Sequence, residues 1–266
     1  MHRFIFLYML ILIHPHICFT CPPTFRNLGE SFCVVVLRRT LRFCSATEKC
    51  ARYGERNKQV VYLIGRNIVR VPRLITDVRG MHTGINFLLE PPTNGNLVWR
   101  DLDPKSPEYT ATEKEFNYNI RPMGQGQRYV PRWFPVEKLI RDVSAYSSYS
   151  SRIICEYGGV LPDGHRKVQF RSNFPKPLSV LVHSDARFTG CEKKMSTRTK
   201  LECARRCALK PACRSIYFEG GTSSCIHMMH ADSLLSLRTA GRGSGWVRFA
   251  KTSLALELDG GEQTSD

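Results

Sequence analysis

Cys203 and Cys207 stand four residues apart in Glu202-Cys203-Ala204-Arg205-Arg206-Cys207-Ala208-Leu209, and no other feature restricts the fold of this 266-residue chain so strongly. In a helix, four residues turn through about 400°, so both sulfurs leave the same face one turn apart. Cys213 and Cys225 follow, the second after the strand-like run Arg214-Ser215-Ile216-Tyr217-Phe218. Two thiols on one helical face and two on the adjoining loop and strand predict a helix stapled to a small sheet. Zinc is the competing reading of four cysteines, but its ligands usually come as close Cys-x-x-Cys pairs from turns.

The N-terminus sets the expected compartment. Met1-His2-Arg3 is a short basic start, residues 4–13 form an unbroken apolar run, and His14-Pro15-His16 ends it. The run is well short of the ~20 residues needed to cross a bilayer. It fits a secretory signal over residues 1–20, with cleavage placed before Cys21, and Pro15 argues against a buried helix there. No later stretch reads as a membrane span. The expected mature chain is therefore secreted and extracellular, where cysteines persist as disulfides; it has no Asn-x-Ser/Thr sequon.

Cysteine usage divides what remains. Cys21, Cys33, Cys44, Cys50 and Cys155 serve the first part, and Cys191, Cys203, Cys207, Cys213 and Cys225 the second. The predicted organisation is a first domain over 21–158, a linker over 159–179 marked by prolines and scattered charges, a second domain over 180–251, and an acidic disordered tail over 252–266.

Two family resemblances sharpen this α+β reading. The cysteine spacing of the second domain, its helix over 201–209 and the closing Gly245-Trp246-Val247-Arg248-Phe249 resemble the PAN/apple modules, a helix packed on an antiparallel sheet. In the first domain, Cys21-Pro22-Pro23-Thr24-Phe25 leads into Phe32-Cys33-Val34-Val35-Val36. A helical stretch over 43–53 and a β-branched strand over 60–64 follow, then Trp99-Arg100-Asp101 and finally Arg152-Ile153-Ile154-Cys155-Glu156. This order resembles the C-type lectin-like fold. The resemblances imply the disulfides Cys21–Cys33, Cys50–Cys155, Cys203–Cys225 and Cys207–Cys213. Cys44 and Cys191 are left over, and odd thiols in a secreted chain seldom stay free. They either bridge to each other, locking the domains together, or each joins another chain in a covalent dimer.

The departures from the lectin pattern bear on function. Sugar-binding members hold calcium, which takes six to eight oxygen ligands. The position of the family's Trp-Asn-Asp triplet, counted back from Cys155, falls on Asp142-Val143-Ser144, with one carboxylate. Arg121-Pro122-Met123, Val130-Pro131-Arg132 and Phe134-Pro135-Val136 bring no oxygen ligand beside their prolines, and Glu90-Pro91 lies on the wrong side of Trp99. The family's inner disulfide is missing near Ser147. Residues 110–151, rich in Tyr, Ser and Gly, read as a solvated insertion, with Trp133-Phe134 as that loop's own small core.

Charge supplies the remaining clue. The formal net charge is +16; residues 185–251 carry 13 Lys/Arg against 5 Asp/Glu, and residues 21–160 carry 21 against 13. Lys193, Lys194, Arg198, Lys200, Arg205, Arg206, Lys210 and Arg214 cluster around the disulfide helix as a candidate anion- or glycosaminoglycan-binding surface. A secreted basic surface meets sulfated glycans or acidic proteins before nucleic acid. His227-Met228-Met229-His230 lacks a third metal ligand and reads as surface decoration. No Gly-x-Ser-x-Gly elbow, His-Glu-x-x-His or phosphate-binding loop occurs. The sequence thus predicts a non-enzymatic protein without catalytic residues, metal or cofactor, and without a nucleic-acid partner. Its expected role is extracellular adhesion or recognition of a protein or sulfated glycan. A docking or inhibitory module for an extracellular protease is the alternative, and a true carbohydrate-binding lectin a further one.

Overall fold

The computed structural model describes residues 20–38, 42–76, 80–90, 98–111, 130–136, 139–143, 152–161, 168–185, 188–241 and 245–252. The predicted signal and tail, and most of the 110–151 insertion, lie outside them. The main elements of the first half are β1 (Cys33–Arg38), α1 (Phe43–Arg56), β2 (Gln59–Leu63), β3 (Val130–Phe134), β4 (Leu139–Val143) and β5 (Arg152–Val160). The second half contributes β6 (Glu192–Ser196), α2 (Lys200–Ala208), β7 (Cys213–Glu219), β8 (Ser224–Met229) and β9 (Trp246–Lys251).

α1 forms because Phe43, Ala46, Thr47, Cys50 and Gly54 recur at helical spacing, and all five are buried. Its apolar stripe lies on β2. Gly54 permits that approach, since a Cβ there would sit 2.5 Å from the Gln59 carbonyl oxygen. The first sheet is antiparallel, ordered Arg26–Asn27, β1, β5, β2. The last strand of the half thus lies between two early ones, and Cys155 is in register with both Val35 and Leu63. Cys50 bonds to Cys155, stapling α1 to that central strand, while Cys21 bonds to Cys33. Met81–His82, β3 and β4 form a smaller antiparallel sheet. Trp133 on β3 packs with Phe32, Ile64, Met81 and Trp99 in a core of the first half. It does not make the separate loop core expected from its flanking prolines, because its apolar partners come from distant segments.

The second sheet is ordered Phe170–Arg171, β9, β7, β8, β6, all antiparallel. α2 begins at Thr199, whose hydroxyl accepts the Glu202 N–H at 3.1 Å. The helix buries Cys203 and Cys207 against this sheet through the bonds Cys203–Cys225 and Cys207–Cys213.

The halves are not independent. Phe43, Cys50, Leu63, Leu88 and Leu102 share one apolar cluster with Phe188, Cys191, Ala231 and Leu234. The Leu234 N–H donates to the Leu88 carbonyl at 2.9 Å, and Cys44 bonds to Cys191 with Cα atoms 5.4 Å apart. The stretch expected to be a linker also contributes: Phe170–Arg171 pairs with β9, Leu178 packs on the shared cluster, and Lys176 pairs with Glu90. Prolines and charges there mark a strap that crosses both halves.

Candidate functional site

The candidate site is the cationic rim of the second half. β6 is an edge strand, so Lys193 and Lys194 are both exposed even though they point to opposite faces. Arg198 and Lys200 flank the start of α2, and Arg205 and Arg206 occupy its outer side, all exposed. The Lys200 ammonium lies 5.8 Å from the centre of the Phe249 ring, and Arg206 pairs with Glu202 at 2.6 Å. Lys210 follows the helix. Its ammonium is shifted below the ordinary lysine range by partial burial and then by the charges of Lys193 and Arg206, which locates these cations near one another.

Arg214 does not belong to this face. Its guanidinium turns inward and donates to the carbonyls of His230 at 2.9 Å and Leu102 at 2.7 Å. Burial pushes it down to about 10, with Asp103 and Asp232 opposing. It stands in a polar seam between the halves, where a narrow cleft is lined by Arg100, Asp103, Arg214, His230, Asp232 and Lys251. Arg66 fixes the acidic side of the seam: its N–H donates to Asp101 at 2.9 Å and its guanidinium to Asp103 at 3.0 Å. Burial raises the Asp101 carboxyl above its ordinary range, and Arg66 opposes the shift.

Glu156, close to Asp101 and Asp103 in the first half, is 8 % exposed and accepts from the Asn67 amide at 2.7 Å. Burial, with Asp101 and Asp103 adding, pushes its carboxyl up to about 7, and the Asn67 hydrogen bond opposes this. The folded chain therefore holds this proton more tightly than the unfolded one. The resulting stability is fully present below the ordinary value of 4.5 and is lost as pH rises through about 7. Glu156→Gln should accordingly raise stability by roughly 2–3 kcal/mol at pH 8 and change little at pH 4. Paired thermal melts at the two pH values check this, and an equal shift at both would refute it.

The two histidines are not surface decoration. His227 is fully buried, its Nε2–H donating to the Cys203 carbonyl at 3.1 Å, and burial pushes it down to about 4. His230 is half-buried in the seam and is also held at about 4, by burial and then by Arg214 and Arg52. Strand β8 carries His227 inward because it alternates with residues that face the other side of the sheet. Cys203, Cys225 and His227 approach within 4.8 Å of one another, but the two sulfurs are bonded together and offer no thiolate to a metal.

Glu90, which precedes Trp99 and so does not match the lectin calcium motif, is engaged by Arg100 at 3.4 Å and by Lys176. Asp142 and Val143 lie on β4, while Arg121-Pro122-Met123, Ser144 and Ser147 lie outside the described residues. Among the described residues, no helix is long and apolar enough to cross a membrane.

No protein-family model matches the sequence, and no curated protein matches it. Similar solved structures include the C-type carbohydrate-recognition domain of cow CD23, 15% identical with a TM-score of 0.38, covering 52% of this chain and 96% of that one. The C-type lectin CEL-I from Cucumaria echinata is 14% identical with a TM-score of 0.36, covering 52% and 96%. The carbohydrate-recognition domain of the human scavenger receptor C-type lectin is 17% identical with a TM-score of 0.32, covering 52% and 98%.

Proposed function

We propose that this protein is an extracellular recognition protein that binds a sulfated glycan through the cationic rim of its second half. One observation carries the reading: Lys193, Lys194, Arg198, Lys200, Arg205 and Arg206 are exposed together around α2 and the edge strand β6. A dense positive surface concentrates polyanions by long-range attraction and counterion release. Bonded cysteines support an oxidising, extracellular setting. The first half is read as C-type lectin-like, with its late strand β5 inserted between β1 and β2. The second is read as PAN/apple-like, with a disulfide-stapled helix on an antiparallel sheet. Neither reading needs calcium or catalysis.

Heparin chromatography tests this. Changing Lys193, Lys194, Arg205 and Arg206 together to Ser should move elution to markedly lower salt. The slope of log affinity against log salt should flatten by up to about one unit per lost contact. A chelator should leave elution of the native protein unchanged. Unaltered elution of the quadruple variant would assign the charge to solvation alone, and chelator sensitivity would restore a calcium-dependent lectin.

A further inference from the structure

A second basic surface lies on the first half, outside the cluster around α2. Lys49, Arg52 and Arg56 are exposed on α1 at spacings of three and four residues, so they form one stripe. Arg38, exposed at the end of β1, faces the same open groove of about 680 Å³, whose floor includes Leu37 and Tyr53. The Lys49 ammonium donates to the Arg38 carbonyl at 3.3 Å, which ties the stripe to the strand end.

This stripe and the rim of the second half are held in fixed relation. The adjacent face of α1, with Thr47, Ala51 and Glu55, lies opposite Pro211, Ala212 and His230. Cys44, in the first turn of α1, is bonded to Cys191, two residues before Lys193. The spacing of charges agrees: Arg52 is near enough to His230 to depress its proton affinity, and Lys193 and Arg206 do the same to Lys210. α1 therefore stands beside Pro211, the residue after Lys210, and the basic stripe on its outer side is placed next to the rim of the second half.

We infer that these two surfaces form one continuous track that holds a long sulfated polysaccharide across both halves. The inference rests on the proposed function and extends it, since the ligand becomes an extended chain and the Cys44–Cys191 bond becomes the clamp that aligns its two contacts. Glu48 pairs with Arg52 at 2.6 Å and Glu202 with Arg206 at 2.6 Å. Exposed pairs of this kind are weak and readily exchanged for a polyanion. Nucleic acid is the poorer fit. Single-strand binders stack bases on free aromatic faces, whereas Tyr53, the aromatic residue of the groove, is held edge-on against Phe25 at 5.8 Å and donates its hydroxyl to Thr24.

The test compares heparin oligosaccharides of graded length on the native chain, on Lys49→Gln/Arg52→Gln/Arg56→Gln, and on the quadruple variant of the second half. Glutamine keeps helix propensity while removing charge. The triple variant should bind long heparin on the order of tenfold more weakly, and the native gain in affinity with chain length should largely vanish. Independently of any variant, long heparin should protect both Lys49 and Lys193 of the native protein from amine labelling. If the quadruple variant loses affinity while the triple variant keeps it and Lys49 stays labelled, the track fails and the single-rim reading stands. If native protein does not bind heparin at all, both fall. Equal competition by a single-stranded oligonucleotide of matched charge would overturn the assignment to a sulfated chain.

Discussion

Replacing both Cys44 and Cys191 by serine should cost about 4 kcal/mol of stability while leaving a single cooperative unfolding transition. The bond spans 147 residues, of which 105 are already closed by Cys50–Cys155, so the extra loop released to the unfolded chain is roughly 40 residues long. Loop-closure entropy for that length sets the figure. Cooperativity should survive because Phe188, Ala231 and Leu234 remain buried with Phe43, Leu63 and Leu88. Denaturant unfolding under non-reducing conditions measures both quantities. Two separate transitions would show that the disulfide, and not the shared core, unites the halves. Cys44→Ser alone leaves Cys191 unpaired and should yield covalent dimers on non-reducing gels, the pairing that the native bond prevents.

Asp232→Ala should be at least as damaging, at about 3–5 kcal/mol. Its carboxylate pairs with Arg248 and accepts the Ser215 hydroxyl at 2.6 Å, and Arg248 is only 2 % exposed. Removing the carboxylate leaves a buried guanidinium whose charge has no carboxylate beside it, held by neutral partners such as the Phe174 carbonyl at 2.8 Å and the Tyr217 side chain. Adding Arg248→Met should restore a large part of the loss, since an apolar side chain of similar length removes the unpaired charge. Denaturant midpoints of the two single variants and the double variant complete the cycle. A cost below about 1 kcal/mol for Asp232→Ala would mean that water reaches Arg248 freely.

Local pattern was enough for α1, α2 and several of the strands, because a helical stripe such as Phe43, Ala46, Cys50 and a short apolar run such as Ile216-Tyr217-Phe218 carry their burial in their own spacing, whereas the edge strand β6 and its neighbour β8 carried no such signal. What depends on distant partners was not legible. Arg214 reads as one more cation beside a basic helix, and it turns inward to the carbonyls of His230 and of Leu102, the latter 112 residues away. His227 and His230 sit in a polar-looking tetrapeptide whose strand position buries the first and whose place at the seam half-buries the second. The strap between the halves has the composition of a linker, yet it pairs with β9 of the second half and contacts Glu90 of the first. For the candidate site, the cations of the rim could be listed from composition and spacing. The stripe on α1 could not, since it is separated from the rim in sequence and joined to it only by packing.

The shared core also dictates an order of events during biosynthesis. β5 must arrive before β1 and β2 have a common neighbour, and Phe188, Ala231 and Leu234 must follow before Leu88 and Leu102 are covered. The leading half of a nascent chain ordinarily folds as a unit while the rest is still being made. Here it would emerge with part of its apolar surface bare and with Cys44 lacking its mate until 147 more residues have been made. Such non-local closure is intrinsically slow. It exposes an intermediate to wrong thiol pairing at the stage when Cys44 and Cys50, six residues apart on one helix, are both awaiting partners. Efficient production of this protein should therefore depend on disulfide exchange late in synthesis more than on the speed of the first folding steps.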